Sequence, residues 1–246
     1  MRRLLALLLL AAAPLVHAGE VSVAVAANFT SALQEIAVAF ERDTGHKVVA
    51  AFGSTGRFYA QIRNGAPYQV LLAADDETPA RLEQDGATVA GTRFTYAVGR
   101  LVLWSTHPNM IDARGEVLKL PGGDKVAIAD PKLAPYGAAA IQVMQRLGVL
   151  DSLRPRLVQG DSIAQTYQFV STGNAPIGFV ALSQVMSGGR VTSGSWWVVP
   201  EALHEPLKQD AVLLARGQGN PAAIALLAYL RGSEARAIIR AHGYGL

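Results

Sequence analysis

The 246-residue chain contains no cysteine. That absence excludes a disulfide framework, a thiolate metal site, a cysteine nucleophile and attachment to a membrane through a lipidated cysteine. Charged residues are sparse at 17%, aromatic residues at 7%, and the formal net charge is only +3. Two of the cations, Arg2 and Arg3, open the chain, and the apolar run that follows, Leu4 to Val16, is interrupted only by Pro14. Long hydrophobic runs are otherwise lacking. The opening run is shorter than the ~20 apolar residues a bilayer span needs, and it ends in the small-residue pattern Val16-His17-Ala18. It reads as a signal peptide over residues 1–18, cut after Ala18. Removing Arg2 and Arg3 lowers the net charge from +3 to +1, which leaves no electrostatic case for nucleic acid or an anionic membrane. A soluble, secreted mature protein is expected.

Catalytic constellations are also missing. No HExxH, Walker-type GK[ST] or GxSxG pattern occurs, and His46, His107, His204 and His242 have no metal-type partner at helical spacing. The acidic run Asp75-Asp76-Glu77 could hold a divalent cation, but it also suits the approach to a helix whose first position is Pro79 with Thr78 as cap, where negative charge favours the helix dipole. Trp196-Trp197 reads as a half-buried strand pair.

What the chain does contain is an alternation of strand and helix patterns. Glu20 to Ala26 alternates apolar and polar residues, and Leu33, Ile36, Ala37 and Phe40 then recur at helical spacing up to Gly45. Strands are expected over 46–52, 68–74, 94–104, 125–129 and 177–181, and helices around 59–64 and over 137–147. This is an α/β chain with largely parallel sheets. Four segments share one design, small or hydroxylated residues after a strand or loop and then a helix start: Ala26-Ala27-Asn28, Gly53-Ser54-Thr55-Gly56, Ala134-Pro135-Tyr136-Gly137 and Asp161-Ser162-Ile163. Helix starts present unpaired N–H groups and a partial positive charge, so several converging on one cleft would hold a tetrahedral oxyanion without Lys or Arg. Asn28, Thr55 and Ser162 are equally ordinary capping residues; Ser162 with Gln165, and Ser31 with Gln34, have capping-box spacing. Pattern alone leaves both readings open.

The blocks VSVAVAANFTSALQEIAVAFERDTG, FGSTGRFYAQIRNGAPYQVLLAAD, IADPKLAPYGAAAIQVMQRLG and NAPIGFVALSQV, with AIIRAHGYGL at the end, resemble the periplasmic molybdate-binding proteins over essentially the whole mature chain. The resemblance implies a two-lobed periplasmic binding protein fold (type II), each lobe a mostly parallel sheet flanked by helices, with the ligand in the cleft between lobes. The expected division is 19–98 and 200–246 for one lobe and 99–199 for the other. The oxyanion ligands it implies are Asn28, with the backbone N–H of Ala27, then Thr55, then the backbone N–H groups of Tyr136 and Ile163. It departs from the best-known members at Asn28, where they carry serine, and at Ala181, where a tyrosine hydroxyl reaches the anion.

The function implied is capture of molybdate or tungstate and delivery to the membrane permease subunits of an ABC importer. The molybdenum stays inside its oxyanion, so no protein ligand to metal and no cofactor is called for. A monomer is expected. A binding protein for sulfate or another tetrahedral oxyanion, and a periplasmic phosphate- or sulfate-ester hydrolase, are the alternatives; the second needs a nucleophile or metal that the sequence does not offer. Asp161 is the carboxylate nearest these ligands in the chain. Turned inward, it would suit protonated hydrogen phosphate; turned away, it leaves a site for fully deprotonated anions.

Overall fold

The computed structural model describes residues 18–121 and 123–246; the expected signal peptide, apart from Ala18, lies outside them. The strands are β1 Glu20–Ala26, β2 Lys47–Gly53, β3 Val70–Leu72, β4 Phe94–Gly99, β5 Leu101–Ser105, β6 Val126–Ala129, β7 Leu157–Gly160, β8 Ile177–Ala181, β9 Met186–Ser187, β10 Arg190–Val191, β11 Ser195–Val198 and β12 Leu207–Leu213. The helices are α1 Thr30–Thr44, α2 Thr55–Arg63, α3 Glu77–Gln84, α4 Pro135–Arg146, α5 Leu150–Leu153, α6 Ile163–Ser171, α7 Leu182–Val185, α8 Pro221–Arg231 and α9 Ser233–Ala241.

Two five-stranded sheets organise the chain, in the orders β2-β1-β3-β12-β4 and β11-β5-β8-β6-β7. The α/β, two-lobed architecture expected of the sequence is present. Each sheet is mostly parallel, with one strand running against the other four, β12 in the first and β5 in the second. β1 pairs parallel with β2 and β3, whereas β12 pairs antiparallel with β3 and β4. In the second sheet β6 pairs parallel with β7 and β8, and β5 pairs antiparallel with β8 and β11. The parallel pairs in each sheet come from strand–helix–strand units, and the antiparallel pairs from strands next to a crossing between the sheets. The stretch 94–104, which reads as one strand, is two: β4 ends in the first sheet at Gly99, and β5 begins in the second at Leu101.

Helix packing follows the apolar stripes. Leu33, Ile36 and Phe40 of α1 are buried with Leu226 and Leu230 of α8 and Ile239 of α9 on one face of the first sheet, and Phe58 of α2 and Leu82 of α3 cover the other. In the second sheet Val143 and Met144 of α4 and Leu153 of α5 pack on one face, and Val170 of α6 and Val185 of α7 on the opposite face. Trp196 is half-exposed and Trp197 buried, as strand alternation on β11 requires.

Two helix starts differ from expectation. Ala27–Phe29 forms a 3-10 turn, and α1 begins at Thr30, whose hydroxyl donates to Ala27 O at 2.8 Å, so Ser31 caps nothing. α3 begins at Glu77 rather than Pro79: Asp75 Oδ1 accepts the Thr78 N–H at 2.8 Å and Oδ2 the Thr78 hydroxyl at 3.2 Å, a side-chain turn that starts the helix early.

Candidate functional site

The four segments of small or hydroxylated residues end at one place. Ala27, Asn28, Thr55, Tyr136 and Ile163, together with Ser54, line a single cavity whose space, open to the centre of a water-sized sphere, is about 10 Å³. Ala27 and Asn28 follow β1, Ser54 and Thr55 join β2 to α2, Tyr136 is the second residue of α4, and Ile163 is the first of α6. All six are buried. Each sheet therefore contributes part of the wall.

Local sequence explains how the backbone reaches the cavity. Thr55, Tyr136 and Ile163 lie in the first turns of helices, where N–H groups have no carbonyl four residues earlier within the helix. Pro135 at the first position of α4 sets φ and has no N–H of its own. Gly137 lets the helix start lie hard against the end of β6: a Cβ there would sit 2.1 Å from Ala129 O and 2.7 Å from Ala129 C, backbone atoms that cannot swing aside. Ser162 caps α6 by accepting the Gln165 N–H at 3.3 Å, and Gln165 Oε1 accepts the Asp161 N–H at 2.6 Å; the N–H of Ile163, the first residue of α6, has no carbonyl four residues earlier in the helix to pair with.

The side chains divide into spent and unspent groups. The Thr55 hydroxyl accepts the Ala74 N–H at 3.0 Å, so its proton is available to an acceptor in the cavity. Ser54 precedes α2 in extended conformation but does not cap it, and its buried Oγ has no hydrogen-bond partner. Asn28 Nδ2 donates to Gln209 Oε1 at 2.9 Å and to the Tyr244 hydroxyl at 3.0 Å, while Oδ1 is buried without a partner. Behind Asn28, Gln209 Nε2 donates to the Tyr136 hydroxyl at 3.1 Å, Tyr96 donates toward Ala73 O at 3.0 Å, and the Ser183 hydroxyl donates to Asn28 O at 2.9 Å. Phe29 packs edge-on against both Tyr96 and Tyr244, at 4.8 and 5.5 Å between ring centres, and fixes those two hydroxyls. Burial pushes the phenols of Tyr96, Tyr136 and Tyr244 up from their ordinary range, so all three are neutral donors and acceptors.

Charge is kept off this cavity. None of its lining residues is Lys, Arg, Asp or Glu. The Asp161 carboxylate, in the link between β7 and α6, pairs with Arg57 of α2 at the exposed edge, an ion pair between the two lobes. Gly56 N–H donates to Leu133 O at 2.9 Å, a second bond across the cleft. A larger groove of about 290 Å³ adjoins the cavity, but Asp75, Asp76, Glu77 and Glu205 share its wall with Lys132 and Lys208, a poor setting for an anion. Burial pushes the half-buried Asp75 carboxyl up to about 6. Among the described residues no group of three or more His, Cys, Asp or Glu side chains is placed to hold a metal ion.

The sequence singles out Ala27, Asn28, Thr55, Tyr136 and Ile163, and the structure brings all five together. The sequence reading gives neither Ser54 nor the Tyr136 side chain a role of its own. Ala181, buried in β8, does not line the cavity.

Residues 21–245 match the family model of bacterial extracellular solute-binding proteins. The chain belongs to that family. Among its relatives, this solute-binding protein is 59% identical over 230 residues to the molybdate-binding protein ModA of Azotobacter vinelandii, spanning 94% of this chain and 91% of that protein. It is 55% identical over 227 residues to the molybdate-binding protein ModA of Rhodobacter capsulatus, spanning 92% and 88%. A solved periplasmic molybdate-binding protein of Azotobacter vinelandii superposes on the solute-binding protein with a TM-score of 0.89 at 41% identity, covering 92% of this chain and 99% of that one.

Proposed function

We propose that this protein captures molybdate, and tungstate with it, in the periplasm and hands it to the membrane subunits of an ABC importer. It is a binding protein and not an enzyme, and the oxyanion is its cargo. The observation that carries the reading is the convergence of Ala27, Asn28, Thr55, Tyr136 and Ile163, from four separated segments and both sheets, on one cavity walled by neutral groups. The lining is buried and neutral, so an anion seated there takes its hydrogen bonds from the walls. Helix-start N–H groups and hydroxyls whose protons are unspent suit an anion that only accepts. With Asp161 paired to Arg57, no carboxylate is offered to the proton of hydrogen phosphate. The names of the relatives point to molybdate.

In this reading residues 19–98 and 200–246 form one body and 99–199 the other, joined where β4 runs into β5 and where β11 leads to β12. Donors from both bodies meet the same anion, so binding favours the closed arrangement that the importer recognises. Export ends with cleavage after Ala18, and the protein works unanchored and as a monomer.

A thermal-shift titration of the ligand-free mature chain with molybdate, tungstate, sulfate and phosphate at matched ionic strength tests this. At ~100 times its dissociation constant a ligand stabilises by ~2.7 kcal/mol, roughly 5–10 °C for a chain of this size. Molybdate and tungstate are expected to give that shift and sulfate and phosphate little. No shift with either metal oxyanion overturns the reading.

A further inference from the structure

The hydrogen bonds behind Asn28 are incomplete as arranged. Asn28 Oδ1 has no partner, the Tyr136 hydroxyl accepts from Gln209 but donates to nothing, and one of the two Gln209 side-chain N–H groups is left over. All of these groups are buried. An amide's oxygen and nitrogen are nearly isosteric, so the same heavy-atom positions admit a second arrangement with both amides turned by 180°. In it Tyr136 donates to Gln209 Oε1, and Gln209 Nε2 donates to the Tyr96 hydroxyl and to Asn28 Oδ1. Tyr96 still donates to Ala73 O, Ser183 still donates to Asn28 O, and Tyr244 donates to either Asn28 oxygen. Every interior donor then has an acceptor over contacts of 2.7–3.1 Å. The group left over is no longer an acceptor but the Asn28 Nδ2 amide, with both its protons free, on a residue that lines the cavity.

We propose that Gln209, which does not line the cavity, is a positioning residue that turns the donor end of the Asn28 amide toward the bound anion. This rests on the oxyanion-binding reading and deepens it, because the orientation sets selectivity. With Nδ2 inward Asn28 serves a fully deprotonated anion, and with Oδ1 inward it would serve one that carries a proton.

The fold supplies the means to hold Gln209 in place. Opposite Gln209 and Asp210 the register passes from Ala97 to Thr95, so β4 carries an extra residue there, Tyr96, whose hydroxyl lies 3.1 Å from Gln209 Oε1; on the inner strand β12 both side chains are buried, Gln209 toward Asn28 and Asp210 toward Arg93 and Thr95. At the crossing, Gly99 makes room for the network: a Cβ there would lie 2.2 Å from the Tyr136 hydroxyl and 2.6 Å from Gln209 Nε2. The groups that face Gln209 are the neutral phenols of Tyr96 and Tyr136 and the Asn28 amide. Asp75 and Asp210 are carboxylates near Tyr96.

Gln209→Glu and Gln209→Met distinguish positioning from mere support. In Gln209→Glu an ionised carboxylate only accepts, so it draws Asn28 Nδ2 to itself, away from the cavity, and leaves Oδ1 facing the anion; when protonated it can donate again. Molybdate affinity of Gln209→Glu, by calorimetry, is expected to fall at least 30-fold at pH 9 and to recover at least fivefold toward pH 7, a range above the titration of Asp75. Gln209→Met is expected to lose affinity without pH dependence, and wild type to be level across the range. A loss in Gln209→Glu that is level with pH, or an affinity within threefold of wild type at pH 9, overturns the proposal. Should the variants not fold, nitrogen-15 spectra of the wild-type Asn28 side-chain amide decide: both its proton resonances move on adding molybdate, and resonances that stay put in a molybdate-bound sample refute the assignment. Wild type that binds no molybdate overturns the functional reading itself, an outcome separate from either of these.

Discussion

Replacing Gly56 with valine asks whether the two halves of the molecule have to meet for an anion to be held. In the structure Gly56 N–H donates to Leu133 O at 2.9 Å, and a Cβ at residue 56 would lie 3.1 Å from both Leu133 Cα and Leu133 O. Those are backbone atoms, and valine adds two further methyl groups, so the halves must part at this point. Parting costs the Gly56–Leu133 bond, about 1 kcal/mol, and stretches the reach of Tyr136 and Ile163 toward the anion, where a hydrogen bond to a charged partner is worth about 1.5–3 kcal/mol. Losing the first and much of one of the second weakens binding by about 2–4 kcal/mol, roughly 30- to 1,000-fold. Valine is no worse than glycine in a helix, so the melting temperature without ligand should hardly move. Calorimetric titration with molybdate measures the effect, and Gly56→Ala should fall between valine and wild type. Affinity of the valine variant within threefold of wild type would refute the idea that the closed contact and the bound anion depend on each other.

Three other outcomes are expected. Asn28→Ala and Thr55→Ala should each weaken molybdate binding by about 1–3 kcal/mol in the same titration, and unchanged affinity in both would sink the site. Because burial raises the Asp75 carboxyl to about 6 in the folded chain, its contribution to stability is complete below about pH 4 and is lost as pH rises through 6, at most about 3 kcal/mol. Asp75→Asn removes the ionised form, so melting temperature should rise at pH 7.5 and be nearly unchanged at pH 4; an equal effect at both pH values would contradict this. Gly137→Ala should cost several kcal/mol in urea unfolding, since its Cβ meets only backbone, and a loss under about 1 kcal/mol would show that α4 can shift without harm.

The parts of this molecule that were legible in its sequence are those written in local pattern. Leu33, Ile36 and Phe40 announce α1 by their spacing, Ile177 to Ala181 reads as the strand it is, and the four helix starts that meet at the cavity each carry a local signature. Residues whose role depends on distant partners were not legible. Gln209 lies 181 residues from Asn28 in the chain, and Tyr244 lies 216 away; nothing near either marks it as a neighbour of the cavity. Ser54 was visible only as a member of the Gly53–Gly56 segment, with Thr55 read as the capping residue; in the structure the helix begins at Thr55 and the Ser54 side chain caps nothing. The strand expected over 94–104 shows a further limit: period-two patterning marks extended backbone but not the change of sheet at Arg100.

The position of β12 bears on the order in which the chain can fold. It lies between β3 and β4 in the first sheet, yet it is made from residues 207–213, after the whole second sheet has been written. Strands β5 to β8 and β11 are contiguous in the chain and can assemble as soon as they are available, whereas the first sheet lacks an inner strand until nearly the last forty residues arrive. A nascent or threading chain is thereby held without a finished N-terminal half until almost all of it has emerged. That late, long-range pairing is the slow kind of contact, because the loop it closes spans the whole second sheet.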